Sequence, residues 1–243
     1  MSLSHAYFLA RRSEPDTGTI RARCLTAVRA AGLLSVLLVS SVMAHAQLVT
    51  STFDADTEGW GEFNDGGTPT WVPAGGNPGG TVSVVDQGAG SFWAFVAPAK
   101  FLGSKSDFYG GSLSYDIRSN QVPNAAPMPT VTLVGNGTTL VAELASATTG
   151  WTANNIVLDE TAPWRVTTLG GAVPTPVQFQ SVLSNVTALR IRGEYRNGAD
   201  TGFLDNVRMA GVAVTVPETN ALALFALAGI PVAAVALHRR RRK

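Results

Sequence analysis

Between residues 47 and 215 no apolar run is long. Short groups of Val, Thr, Leu and aromatic residues alternate with Gly, Pro, Asn and Asp every few positions. Such punctuation breaks helices before they can form and leaves many short strands, the pattern of a sandwich or barrel. The same stretch contains no cysteine and no histidine, since Cys24, His5, His45 and His238 all lie outside it. Disulfides, a cysteine nucleophile, a Ser-His-Asp triad and the usual zinc ligands are therefore excluded there. A domain of this composition must hold by packing alone, or with a hard cation bound through oxygen.

Strands are predicted at 48–53, 58–63, 81–86, 92–96, 111–118, 130–134, 138–144, 152–158, 188–195 and 202–209, with Gly135-Asn136-Gly137 as a tight hairpin turn. Thr175, Pro176 and Gln178 have the spacing of a capping box with proline at the first helical position, so a helix should run from there to Ser184. It is expected to cover one end of the sandwich with Val177, Val182 and Leu183. A second short helix is expected at 99–104. In the strand at 188–195, alternation turns Leu189, Ile191 and Tyr195 inward and Arg190, Arg192 and Glu194 outward. The last strand places Phe203, Asp205, Val207 and Met209 on one face, so Asp205 falls in phase with the core and needs a cation or several donors.

Both ends of the chain read as addresses. Arg21, Arg23 and Arg29 precede an apolar stretch at 32–43, and Ala44-His45-Ala46 fits small-x-small cleavage. Residues 1–46 thus read as a signal peptide with a long basic lead, and Gln47 as the mature start. At the other end, Val216, Pro217, Glu218 and Thr219 precede an apolar run at 221–237 and five cations at 239–243. Seventeen apolar residues make roughly 25 Å of helix, close to a ~30 Å hydrocarbon core, and the cations act as a cytoplasmic stop. This tail, 216–243, resembles the PEP-CTERM sorting domain of Gram-negative bacteria, although the usual Pro-Glu-Pro has Thr219 in its third position. The resemblance implies an exosortase-type processing enzyme as partner. It also implies an inner-membrane intermediate held by the transmembrane helix, and a final place at the cell surface or in the extracellular matrix.

Without its ends the chain carries eight cations against fourteen carboxylates, a net charge of −6. An acidic domain is a poor partner for nucleic acid, which needs a cationic patch. Phe-Asp-Ala-Asp-Thr-Glu-Gly-Trp at 53–60, Gly-Asn-Pro-Gly-Gly at 76–80, Pro-Ala-Lys-Phe-Leu-Gly at 98–103, Tyr-Gly-Gly-Ser-Leu-Ser-Tyr-Asp at 109–116, Leu-Arg-Ile-Arg-Gly-Glu-Tyr at 189–195 and Leu-Asp-Asn-Val at 204–207 occur in that order. Together they resemble a laminin B domain (laminin domain IV), and place it at 47–215. The resemblance implies an all-β, jelly-roll-like sandwich similar to galactose-binding domains.

Two sites are expected. Asp54, Asp56 and Asp205 would converge on a structural Ca2+ if the first and last strands pair. Trp71 and Trp93, nearest the Gly-rich turns, would offer rings to a sugar, with Arg190 and Arg192 as donors. Asp159 and Glu160 are adjacent, and on a strand they would point to opposite faces, which does not make a glycosidase pair. The function expected is that of an exported, non-enzymatic surface or matrix protein binding polysaccharide or partner proteins. A carbohydrate-active enzyme and a structural module without ligand are the alternatives. Net charge alone favours neutral glycans over anionic ones.

Overall fold

The computed structural model describes residues 47–88 and 92–212. The expected signal peptide, the sorting motif and the apolar run at 221–237 lie outside them. Among the described residues no helix is long and apolar enough to cross a membrane.

Among the described residues, twelve strands form two antiparallel sheets: β1 (Leu48–Ser51), β2 (Gly61–Phe63), β3 (Thr70–Val72), β4 (Thr81–Val85), β5 (Ala94–Val96), β6 (Ser112–Ser119), β7 (Val131–Gly135), β8 (Thr138–Ala142), β9 (Thr152–Val157), β10 (Arg165–Val166), β11 (Val186–Arg192) and β12 (Thr201–Ala210). The first sheet runs β3-β4-β12-β6-β9, with β1 on the C-terminal half of β12. The second runs β10-β8-β7-β11-β5-β2. The result is a β-sandwich, as the strand pattern predicts, and it is jelly-roll-like, as the laminin B resemblance implies.

Each sheet is apolar on one face. In β6, Leu113, Tyr115 and Ile117 are buried, while Ser112, Ser114, Asp116 and Arg118 between them are only partly covered. In β11, Leu189 and Ile191 are buried around Arg190. This period of two sends alternate side chains between the sheets. Trp93 fills the middle without solvent exposure. Gly193 and Gly202, just after β11 and on β12, lie against its six-membered ring so closely that a Cβ at either would collide with it. Asn136 and Gly137 both have positive φ, 45° and 74°. That is the demand of a two-residue turn of the primed type, and it fixes the β7–β8 register.

The helix α1 (Pro176–Ser184) starts with the predicted capping box: the Gln178 N–H donates to Thr175 Oγ1 at 3.2 Å, and the Thr175 N–H to Gln178 Oε1 at 2.9 Å. Its buried face is Phe179, Val182 and Leu183, at helical spacing. Val177 is 76% exposed. It stands two residues, or roughly 200°, from Phe179, so the expectation that it covers the sandwich was wrong. The short helix expected at 99–104 is a 3-10 turn at Ala99–Phe101, followed by another at Ser106–Phe108. Sequence reading missed β3 and β10, edge strands of three and two residues. It also carried the strand at 58–63 back into a turn where Glu58 and Gly59 take positive φ.

Candidate functional site

The last strand departs from simple alternation. β12 pairs with β6 at Asp205↔Asp116 and resumes at Arg208↔Ser114, with a bulge between and Asn206 at φ 50°. The extra residue moves the phase. Gly202, Leu204, Val207 and Met209 are the buried positions, and Phe203 turns to the outer face. The expected common face of Phe203, Asp205, Val207 and Met209 is therefore split. Asp205 is still fully buried, because the Gly-rich loop at 76–80 closes over it. The Asn77 N–H donates to its Oδ2 at 2.5 Å and the Asn206 N–H to its Oδ1 at 2.7 Å. Asp116 Oδ2 accepts from both side-chain amides, of Asn77 at 3.1 Å and Asn206 at 2.8 Å. Gly76 and Gly80 let the loop approach, since a Cβ on them would meet the Gly80 and Phe53 carbonyls.

Burial raises the Asp205 pKa against the two N–H donors, and the charges of Asp116 and Asp54 add to the rise. Asp54 accepts the Thr52 hydroxyl at 2.7 Å. Asp56 accepts the Glu58 N–H at 2.6 Å in a turn of its own, and it is Asp116, not Asp56, that joins Asp54 in acting on Asp205. Glu58 pairs with Lys100 and accepts the N–H groups of Thr52 and Phe53 at 2.8 and 2.6 Å. Among the described residues no three carboxylates gather closely enough to hold a metal by themselves.

The expected sugar platform is redistributed. Trp93 is a core residue. Trp71 is half-buried, packs against the core and donates Nε1–H to the Phe53 carbonyl at 2.7 Å. Arg192, expected outside, is 4% exposed. It donates through Nε to the Glu194 carbonyl and through Nη2 to that of Ala126 at 3.2 Å, and lies over the Tyr195 ring. The segment at 120–130 folds across this end of the sheet, with Asn124 and Ala125 donating to the Tyr195 carbonyl. Arg192 is a staple for that segment. Glu194, also expected outside, is 9% exposed. Burial raises its pKa, helped by Asp86, Asp65 and Asp200 nearby.

Arg190 keeps its outward place. Its guanidinium lies 4.0 Å from the Phe63 ring centroid, across β5 from β11. A second arrangement of the same kind occupies the outer face of the other sheet. There Arg118 lies 3.8 Å from the Phe203 centroid and 5.2 Å from that of Trp151. Phe203 is its cross-strand partner on β12, and Trp151 precedes β9 on the other side. Sequence alternation along 111–118 already puts Arg118 outward. The bulge hid Phe203, and Trp151 carried no signal beyond its type. Asp159 and Glu160 are taken up locally, by Thr161 and by the Tyr109 hydroxyl at 2.6 Å.

The fold and these faces define a β-sandwich module with arginine-on-aromatic patches on its outer faces. A family model for Laminin B (Domain IV) matches residues 94–223, and the chain belongs to that family. Laminin subunit gamma-1 of Xenopus tropicalis is 30% identical over 171 residues, covering 66% of this chain and 10% of its own length, so the chain spans about a tenth of that relative. Among solved structures, the L4b domain of human laminin alpha-2 is 18% identical with a TM-score of 0.45, over 54% of this chain and 80% of that one. A family 11 carbohydrate-binding module from Clostridium thermocellum, in complex with a beta-1,3-1,4-mixed-linked tetrasaccharide, is 16% identical with a TM-score of 0.42, over 70% and 98%.

Proposed function

We propose that this chain is an exported, non-enzymatic module of the cell surface or extracellular matrix that binds polysaccharide on the outer face of its sandwich. The observation that carries the reading is Arg118 held against Phe203 and Trp151. Aromatic rings present flat apolar surface to the C–H face of a sugar, and a guanidinium supplies several fixed donors beside it. Trp151 and Phe203 are only partly covered, so the patch is open to a ligand. A non-enzymatic role is favoured because the carboxylates that influence one another, Asp205 with Asp116 and Asp200 with Glu194, involve buried groups rather than two walls of an open groove. The tail motif at Pro217 and Glu218 favours sorting by an exosortase-type enzyme, through a membrane-held intermediate. A structural Ca2+ beside Asp205 and Asp54 would offset the mutual repulsion of those carboxylates and Asp116, with carbonyl oxygens completing the set. The test of binding is retention of the full chain on insoluble polysaccharides, compared with Trp151→Ala and Phe203→Ala. Loss of retention in folded variants is the expected result, and unchanged retention overturns the reading.

A further inference from the structure

We propose that the module is bivalent for acidic polysaccharide. Arg118 on one outer face and Arg190 on the other each take a uronate-type carboxylate, so that one molecule joins two chains. The proposal rests on the polysaccharide reading above and extends it in ligand class and in valency.

Three observations point this way. The first is the placement of the two arginines. Arg118 stands on β6 and Arg190 on β11, in different sheets, each between buried neighbours on its own strand and each half-covered. Stacked sheets lie about 10 Å apart, and outer faces point in opposite directions. A saccharide lying along one face does not reach the other guanidinium.

The second is their lack of partners. The described residues include a single ion pair, Lys100 with Glu58, although fourteen carboxylates are present in 47–215. Neither Arg118 nor Arg190 is in that pair. In both, Nε is buried and has no hydrogen-bond partner. Arg192, by contrast, spends its donors on two carbonyls. Neither guanidinium is matched to a carboxylate of this chain, although acids are in excess.

The third is preorganisation. Each guanidinium carbon lies over an aromatic ring, 3.8 Å from the Phe203 centroid and 4.0 Å from the Phe63 centroid. Ordering of a long side chain is a cost of binding that stacking lowers in advance. Burial lowers the Arg118 pKa from its ordinary value. A planar fork with five donors matches a carboxylate through two parallel bonds, and charge-assisted bonds are roughly twice as strong as neutral ones. Net charge −6 repels a polyanion at long range, but at ~0.15 M salt charges beyond ~8 Å are largely screened and the local groups decide.

The experiment uses the full chain with two matched polymers, polygalacturonate and its fully methyl-esterified form, and a neutral β-glucan as a third arm. Binding is read by retention on the immobilised polymer, and joining of chains by turbidity with the soluble polymer. The expected result is binding to polygalacturonate about tenfold or more tighter than to the ester, the scale of a charge-assisted contact. Arg118→Gln and Arg190→Gln should each lower retention and each abolish turbidity, and the double variant should fall to the level of the ester. Circular dichroism and a melting curve establish that the variants fold; both substitutions lie on outer faces. Equal binding to acid and ester overturns the ligand class. Loss of all binding in one variant with none in the other overturns bivalency. Binding to the β-glucan alone overturns the acidic class while leaving polysaccharide binding in place, and binding to none of the three overturns both.

Discussion

Asp205 accepts the backbone N–H of Asn77, 128 residues earlier in the chain, and this contact ties the Gly-rich loop to the last strand together with the Asn77 amide on Asp116 and the Asn206 amide on the Asn77 carbonyl. Its other oxygen takes the Asn206 N–H, so both donors depend on one carboxylate that has no solvent exposure. Asp205→Ala leaves both N–H groups without an acceptor, and each orphaned, part-buried donor costs up to about 1–3 kcal/mol. The expected loss is about 2–4 kcal/mol in denaturant unfolding. Asp205→Asn keeps an acceptor for one of them and should lose about half as much. A loss below about 0.5 kcal/mol for Asp205→Ala would mean that the loop is held by other contacts.

Calcium dependence is a separate question at the same place. Asp116 and Asp54 add to the raised pKa of Asp205, and a bound cation reverses that sign. A ligand that binds only the folded state adds about 2.7 kcal/mol at a hundredfold excess over Kd. Chelation should lower the melting temperature of the full chain, and Asp205→Asn should remove the difference. Superimposable melting curves with and without chelator would show that the amide donors of Asn77 and Asn206 suffice.

Stability should rise on mild acidification. In the chelator-treated protein, burial raises the pKa of Asp200, Glu194 and Asp205. A carboxylate with a higher pKa folded than unfolded binds its proton more tightly in the fold, so protonation stabilises it. The gain begins as pH falls to the raised values and is complete below the ordinary carboxylate range. Glu58 works the other way. Burial opposes it, but the hydrogen bond from Lys100 and those from the backbone outweigh burial and hold its pKa low. Its contribution is present above the ordinary value and is lost as pH falls through the lowered one. The melting temperature should therefore pass through a maximum on the acid side of neutrality. Asp200→Asn should raise stability at neutral pH and flatten that rise; a profile identical to wild type counts against this assignment.

The tryptophans separate what the sequence could reveal from what it could not. The sandwich, most of its strands, the capping box at Thr175 and the Asn136-Gly137 turn follow from local patterns, and all are found. Exposure does not follow from local pattern. Trp93 sits beside a Gly-rich stretch, yet Gly193 and Gly202, distant in sequence, open the space it fills. Phe203 looked like core because the bulge at Asp205 cannot be read from alternation. Arg192 looked like surface because the segment that covers it lies about 66 residues away. Trp93→Ala should cost about 3–5 kcal/mol as a core truncation. Trp151→Ala should cost less than about 1 kcal/mol while weakening glycan retention. Equal costs would erase the distinction between core and platform.

The ends of the chain give the last prediction. Ala44-His45-Ala46 has the small-x-small form that signal peptidase accepts, and β1 begins at Leu48, one residue after the expected mature start at Gln47. At the other end, β12 finishes at Ala210 and Pro217-Glu218 follows within a few residues, so cutting near that motif would leave every described strand intact. If the apolar run spans a membrane, the five cations at 239–243 would hold the last residues on the cytoplasmic side, because moving such charges through hydrocarbon costs about 2.5–3.5 kcal/mol each even by insertion scales. On that reading, release requires a cut between the sandwich and the apolar run. Intact-mass spectrometry of material outside the cell should give a chain beginning at Gln47 and lacking 239–243. Glu218→Ala should leave the uncut protein in the membrane fraction. An extracellular protein that retains its basic tail would rule out sorting by this route.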